Sequence, residues 1–213
     1  SLYLENALAV GNTPTFVTET ITVRDLNTNV LEGRSVVILN DTAPFDGPTG
    51  NALVNFVGAG GGLLAVLGES VRWTPEASDL LPGSFGTPTA RLSSRSNVLG
   101  YVDYSHPVFD IFNAPRSGDL SSAQFFQQRP LTVTNPESVL ARFADGSVAL
   151  AERRIGQGHV LVWASTLDSY WNDLALKPVY LPFVHQLAKH LGKYVEPTEW
   201  HTTAQLLDVA SMY

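Results

Sequence analysis

The 213-residue chain contains no cysteine. That absence alone excludes disulfide cross-links, thiolate nucleophiles and zinc held by sulfur. Charge is scarce as well. Asp, Glu, Lys and Arg make up 15% of the residues, against about 25% in an ordinary soluble domain, so the surface is polar rather than electrostatic. What charge there is runs acidic, with 20 Asp and Glu against 13 Lys and Arg and a formal net charge of −7. The clustered cations that sequence-independent contact with nucleic acid requires are therefore missing, and no nucleic-acid partner is expected. Long hydrophobic runs are lacking too. The longest nearly apolar stretch, 56–68, is about 13 residues, short of the ~18 to 20 that span a bilayer. The opening 1–9 has neither the basic start nor the long apolar core of a signal peptide.

What is present is enough apolar material, 44% of the residues, for one substantial core. The pattern assigns 1–195 to a single domain and leaves 196–213 as a linker or the start of a further element. Leu2, Leu4, Ala7 and Leu8 share a helical face that Gly11 to Pro14 stops. Because alternating β and α domains usually open on a strand, a first strand is expected upstream of residue 1. Residues 16–23, rich in Thr, Val and Ile, read as a strand. The continuous run from Ser35 to Leu39, ended by Asn40-Asp41, reads as a strand buried on both faces. A helix over 49–59, three glycines at 60–62 and an apolar strand over 63–67 complete a β-α-β unit, which crosses over right-handed and pairs its strands in parallel.

The middle, 73–136, has many Pro, Gly and Ser residues and no sustained period, so long loops with short elements such as 124–128 are expected to cover one edge of the sheet. Val139 to Phe143 and Val148 to Arg153 flank Asp145-Gly146 as a hairpin with the residue pair of a type I′ turn. His159 to Ser165 is another buried strand. Pro182 suits the first position of a closing helix whose buried stripe is Phe183, Val184, Leu187, Ala188 and Leu191. The fold class is thus α/β, a doubly wound, mostly parallel, flavodoxin-like sheet with an antiparallel hairpin extension.

Open α/β sheets take ligands in the crevice beyond the carboxyl ends of their strands. Three acids fall there: Asp41, Glu69 and Asp168. They either converge on a polar ligand or a cation such as Mg²⁺ or Ca²⁺, aided by Ser70, Thr166 and Trp171, or serve as caps and turn residues, which is what Asp does most often at such positions. Ser70 as a nucleophile needs a base within hydrogen-bond reach. Of the imidazoles only those of His106 and His159 come into question, and His159 starts a strand at the opposite end from Ser70. His185 and His190, five apart on the closing helix, are not the i, i+4 pair of zinc sites, so no histidine metal site is expected. Trp163 and Phe183 read as core. Tyr170 and Trp171, in a loop rich in Asp and Asn, are the candidates for recognising a ligand or partner.

Residues 33–69, with their strand ending in Asn-Asp, helix, Gly-Gly-Gly and apolar strand, resemble the class I glutamine amidotransferase-like superfamily, most closely its ThuA-like branch. Ser105-His106-Pro107-Val108-Phe109 is similar to the His-Pro loop of those proteins. More narrowly, 1–9, the turn Ala149 to Gly158 and the run Ser165 to His185 resemble the amidotransferase-like domain of BatA-type, aerotolerance regulator-like bacterial membrane proteins. That resemblance implies membrane helices outside this domain and a periplasmic or otherwise extracytoplasmic placement in the bacterial envelope. It also implies partners among envelope proteins or other domains of the same full-length chain, with a glycan as a further candidate, and no cofactor. The superfamily's enzymes mount a Cys at the turn after the 63–67 strand and a His-x-Glu pair after the last core strand. This chain has Gly68-Glu69-Ser70 and Thr166-Leu167-Asp168 there. The expectation is a non-catalytic binding or scaffolding domain. The alternative is a ThuA-like hydrolase or sugar-modifying enzyme that uses the crevice carboxylates.

Overall fold

The architecture grows from one crossover. Strand β1 (Val36–Asn40) runs into helix α3 (Pro48–Gly58) and returns as strand β2 (Gly62–Val66), paired in parallel with β1. Before it lie helices α1 (Leu2–Leu8) and α2 (Thr28–Leu31); after it come the short strands β3 (Gly83–Phe85) and β4 (Thr89–Ala90), then β5 (Leu99–Val102), β6 (Gln127–Gln128) and β7 (Leu131–Val133). Strands β8 (Val139–Phe143), β9 (Val148–Ile155) and β10 (Gly158–Trp163) and helix α4 (Tyr180–Leu191) follow. The structure, a computed structural model, describes residues 2–11, 14–44, 47–73, 78–90, 96–114 and 117–195; the expected linker over 196–213 lies outside these.

Six strands form the central sheet in the order β1-β2-β10-β9-β8-β5. Parallel pairing is confined to β1, β2 and β10, whereas β10-β9, β9-β8 and β8-β5 are antiparallel. The chain is α/β as expected, with four of the six strands running one way, but the sheet is mixed: the predicted hairpin is no appendage and supplies two of its six strands.

Helices cover both faces. On one, Leu53 and Val57 of α3 pack with Leu63 and Val160, each with no exposed surface and each contributing about 1.5–3 kcal/mol by burial. On the other, α1 and α4 cover the larger cluster around Leu64, Leu161, Trp163 and Phe183. The C-terminal turn of α4 presses on the start of β2 so closely that a Cβ at Gly62 would lie 2.4 Å from the carbonyl oxygen of Leu191. That close approach fixes α4 against the amino ends of the parallel strands.

Several expectations are corrected. Residues 16–23 form no strand: most are exposed, Val17 the most so, and they pair with nothing in the sheet. Strand β1 is an edge, so Val36, Val37 and Ile38 are half-buried rather than covered on both sides. The 73–136 region does more than cover an edge, since it supplies the edge strand β5. In the β8-β9 connection only Gly146 has positive φ, 86°, and the Phe143 N–H donates to the Ser147 carbonyl. This is a three-residue loop closed by a glycine bulge, not a type I′ turn. Helix α4 begins at Tyr180, two residues before Pro182, because the N–H groups of a first turn have no helical acceptor and proline loses nothing there.

Candidate functional site

The carboxyl ends of β1, β2 and β10 carry the predicted crevice residues, and the local bonding defines what they do. Asp41 follows β1 with φ of 50°. Its Oδ1 accepts the N–H of Ser70 at 2.9 Å and of Val71 at 3.2 Å, tying the end of β1 to the turn after β2. The turn passes so near that a Cβ on Gly68 would lie 2.3 Å from Asp41 Cγ. Across it lies Arg129, only 7% exposed. Its Nε donates to the Gly68 carbonyl at 2.6 Å, Nη2 to Glu69 at 2.8 Å and Nη1 to Gly86 at 3.0 Å, and the guanidinium stacks over Phe85. Burial pulls its pKa down, partly opposed by the negative charges of Asp41 and Glu69.

The turn after β2, the elbow, is therefore stitched shut by bonds from the Asp41 and Arg129 side chains to its main chain. Among Gly68, Glu69 and Ser70 none adopts positive φ, so the strained backbone that exposes a nucleophile on such a turn is absent there. Glu69 and Ser70 are exposed. The four described histidines are all engaged elsewhere, His185 by donating to the Ala7 carbonyl at 2.8 Å and the other three around Glu152, so none serves Ser70 as a base.

Beyond β10, Asp168 closes a local turn by accepting the Tyr170 N–H at 3.0 Å. Thr166 is buried, its carbonyl accepting from Asn172 Nδ2 and Trp163 Nε1. The two aromatic candidates separate: Tyr170 is 87% exposed, while Trp171 is buried and its carbonyl accepts the N–H groups of Phe126 and Gln127. Tyr180 donates to the Leu167 carbonyl at 2.7 Å, and burial, then the charge of Asp168, raises its pKa. Trp163 and Phe183 are fully buried with ring centroids 5.3 Å apart. Among the described residues, Asp41, Glu69 and Asp168 do not form a set that can close on one cation.

A second constellation lies at the other end of the sheet, roughly 15 Å away by strand length. His159, the second residue of β10, lies level with Gly62, the first residue of β2. Beside it on β9 stands Glu152, which is paired with Leu161 and faces α4. Glu152 Oε1 accepts from His159 Nδ1 at 2.8 Å and from His190 Nε2, on the last turn of α4, at 2.5 Å; Oε2 accepts from His106 Nε2 at 3.2 Å. The His190 ring lies 4.6 Å from that of His106 and 5.0 Å from that of His159, centroid to centroid, both edge-on. All four side chains are between 13% and 22% exposed. Burial pushes the Glu152 carboxyl up, but the hydrogen bonds from His106 and His190, the charge of His190 and the hydrogen bond from His159 outweigh it and hold the group well below the usual carboxylate range.

Sequence reasoning had no place for Glu152 or for His190 as site residues. The signal was parity. Glu152 continues the alternation of Val148 and Leu150, His159 shares a face with Leu161 and Trp163, and His190 continues the helical stripe of Phe183 and Leu187. Three ionisable groups on core-facing positions of separate elements point to one another, and His106 joins them from the loop after β5.

No protein-family model and no curated protein matches the sequence. Solved structures match in fold. A cytoplasmic protein of Salmonella typhimurium is 15% identical with a TM-score of 0.68, over 89% of this chain and 85% of that one. A second cytoplasmic protein of the same organism is 16% identical with a TM-score of 0.62, over 90% and 84%. A protein described as ThuA-like from Bacteroides uniformis is 12% identical with a TM-score of 0.48, over 81% and 75%. These likenesses show the fold alone, and the BatA-type membrane context is not shown by them. The extracytoplasmic placement is corrected: both Salmonella proteins that share the fold over most of their length are named cytoplasmic. No helix among the described residues is long and apolar enough to cross a membrane.

Proposed function

We propose that this chain is a non-catalytic binding or scaffolding module, built on an amidotransferase-like, flavodoxin-like scaffold whose reactive elbow has become an internal clamp. The observation that carries this reading is Arg129 bonded to the carbonyls of Gly68, Glu69 and Gly86 while Asp41 holds the N–H groups of Ser70 and Val71. An acyl-transfer elbow needs free N–H donors aimed at a developing oxyanion, a nucleophile and a base. Here the two N–H groups are already bonded to a carboxylate, the turn offers Glu69 and Ser70, and no described imidazole is near. The partner is a protein, a further domain of a longer chain or a glycan, met by exposed surface that includes Tyr170.

The test is turnover. The purified chain, incubated with glutamine and with nitrophenyl glycosides, releases ammonia or nitrophenol no faster than buffer. Turnover that disappears in Ser70→Ala or Glu69→Gln would overturn the reading.

A further inference from the structure

We propose that Glu152, His190, His159 and His106 form a binding site for a divalent first-row transition metal, Zn²⁺ or Co²⁺. Three imidazole nitrogens and one carboxylate oxygen are the donor set such ions take, whereas Mg²⁺ and Ca²⁺ prefer all-oxygen shells. The ligands come from four separate places, the loop after β5, β9, β10 and the end of α4, so a bound ion ties both halves of the sheet to the helix that covers it.

The geometry is close to what loading needs. Ligand atoms of His106, Glu152 and His190 lie within 4.8 Å of one another, against the ~3.3 Å between ligand atoms that a tetrahedral shell with bonds near 2.1 Å implies. A contraction of up to about 1.5 Å brings these three ligands to an ion; His159, whose Nδ1 lies 2.8 Å from Glu152 Oε1 but outside that group of three, moves in as the fourth, and the carboxylate that now accepts from all three rings becomes one of the ligands. Protons have somewhere to go. A ligating nitrogen must be bare, so the proton moves to the other ring nitrogen, and among the described residues nothing hydrogen-bonds His159 Nε2 or His190 Nδ1. At His106 the Val108 N–H points to Nδ1 at 3.3 Å, a weak contact that gives way when this ring ligates.

Access comes through the partial exposure of the four side chains, 13% to 22%. Glu152, though none of the three histidines, also lines a cleft of about 490 Å³ with Thr134, Glu137, Arg153 and Arg154, and the two arginines are exposed, where solvent screens their repulsion of a cation. The rival role for the cluster is a hydrogen-bonded carboxylate and nothing more. In that case adding metal changes no imidazole.

The experiment titrates the tag-free, chelator-treated full chain with Co²⁺ and Zn²⁺ near neutral pH, followed by Co²⁺ visible absorption and imidazole ¹⁵N NMR. The expected result is saturation at one equivalent, shifts of His106, His159 and His190 with His185 unmoved, and no response to Mg²⁺. Glu152→Gln and His190→Gln, each checked for folding by circular dichroism, weaken binding at least about tenfold, the range that disturbing a metal site produces; His159→Gln replaces either variant that fails to fold. Absence of a stoichiometric Co²⁺ spectrum, shifts confined to other histidines, or binding unchanged in the folded variants overturns the assignment.

Discussion

Arg129 is the residue on which the closed elbow depends. A guanidinium offers five N–H donors in a rigid fork, and here that fork meets three backbone carbonyls from two loops that otherwise have no partner in the sheet. Removing it leaves those acceptors unsatisfied in a place where only 7% of the residue is exposed. Arg129→Ala therefore lowers stability by about 2–4 kcal/mol, measured by urea denaturation, while Arg129→Lys recovers only part of this because a single ammonium cannot bridge all three carbonyls. Nothing in the sequence announced this role. Arg129 sits in a stretch without periodicity, beside a proline, and its partners are backbone atoms whose positions follow only from the finished fold. Asp41 was more legible: a short polar side chain directly after a strand most often bonds a nearby turn, and it does.

At the scale of elements, the β1-α3-β2 crossover was readable because two independent patterns agree there, apolar strands of five residues and a helical stripe ended by glycines. Residues 16–23 misled because β-branched composition reports fitness for a half-buried pleated surface, and without a partner strand that fitness has no expression. Strand β5 escaped notice for the opposite reason. Leu99–Val102 is too short to show a period, and only its pairing with β8 makes it a strand. The seat of α4 rests on Gly62. Any side chain there meets the Leu191 carbonyl, so Gly62→Ala forces the C-terminal turn of α4 away from the sheet. The expected cost is about 1–3 kcal/mol, read by urea denaturation, together with faster amide exchange in the last turn of α4, which carries His190.

For the molecule as a whole, the two ends of the sheet divide the roles. The carboxyl ends, where this class of fold commonly binds ligands, are consumed by internal bonds. The amino ends gather a carboxylate and three imidazoles beside a cleft. At the first end the turn-bonding roles of Asp41 and Asp168 were open to sequence reasoning, because a short acid just after a strand most often bonds a nearby backbone N–H. The second end was not, because its four members lie as far apart in the chain as His106 and His190 and meet only when β9, β10 and α4 take their places. The central proposal is that the turn after β2 activates no nucleophile, and the cysteine-free chain permits a direct measurement. Ser70→Cys introduces a single thiol, and its alkylation rate is followed against pH with glutamine hydrolysis assayed in parallel. The account predicts an ordinary thiol titrating near the unperturbed value of about 8.5 and no release of ammonia. A thiolate already formed well below neutral pH and turning over glutamine would contradict it.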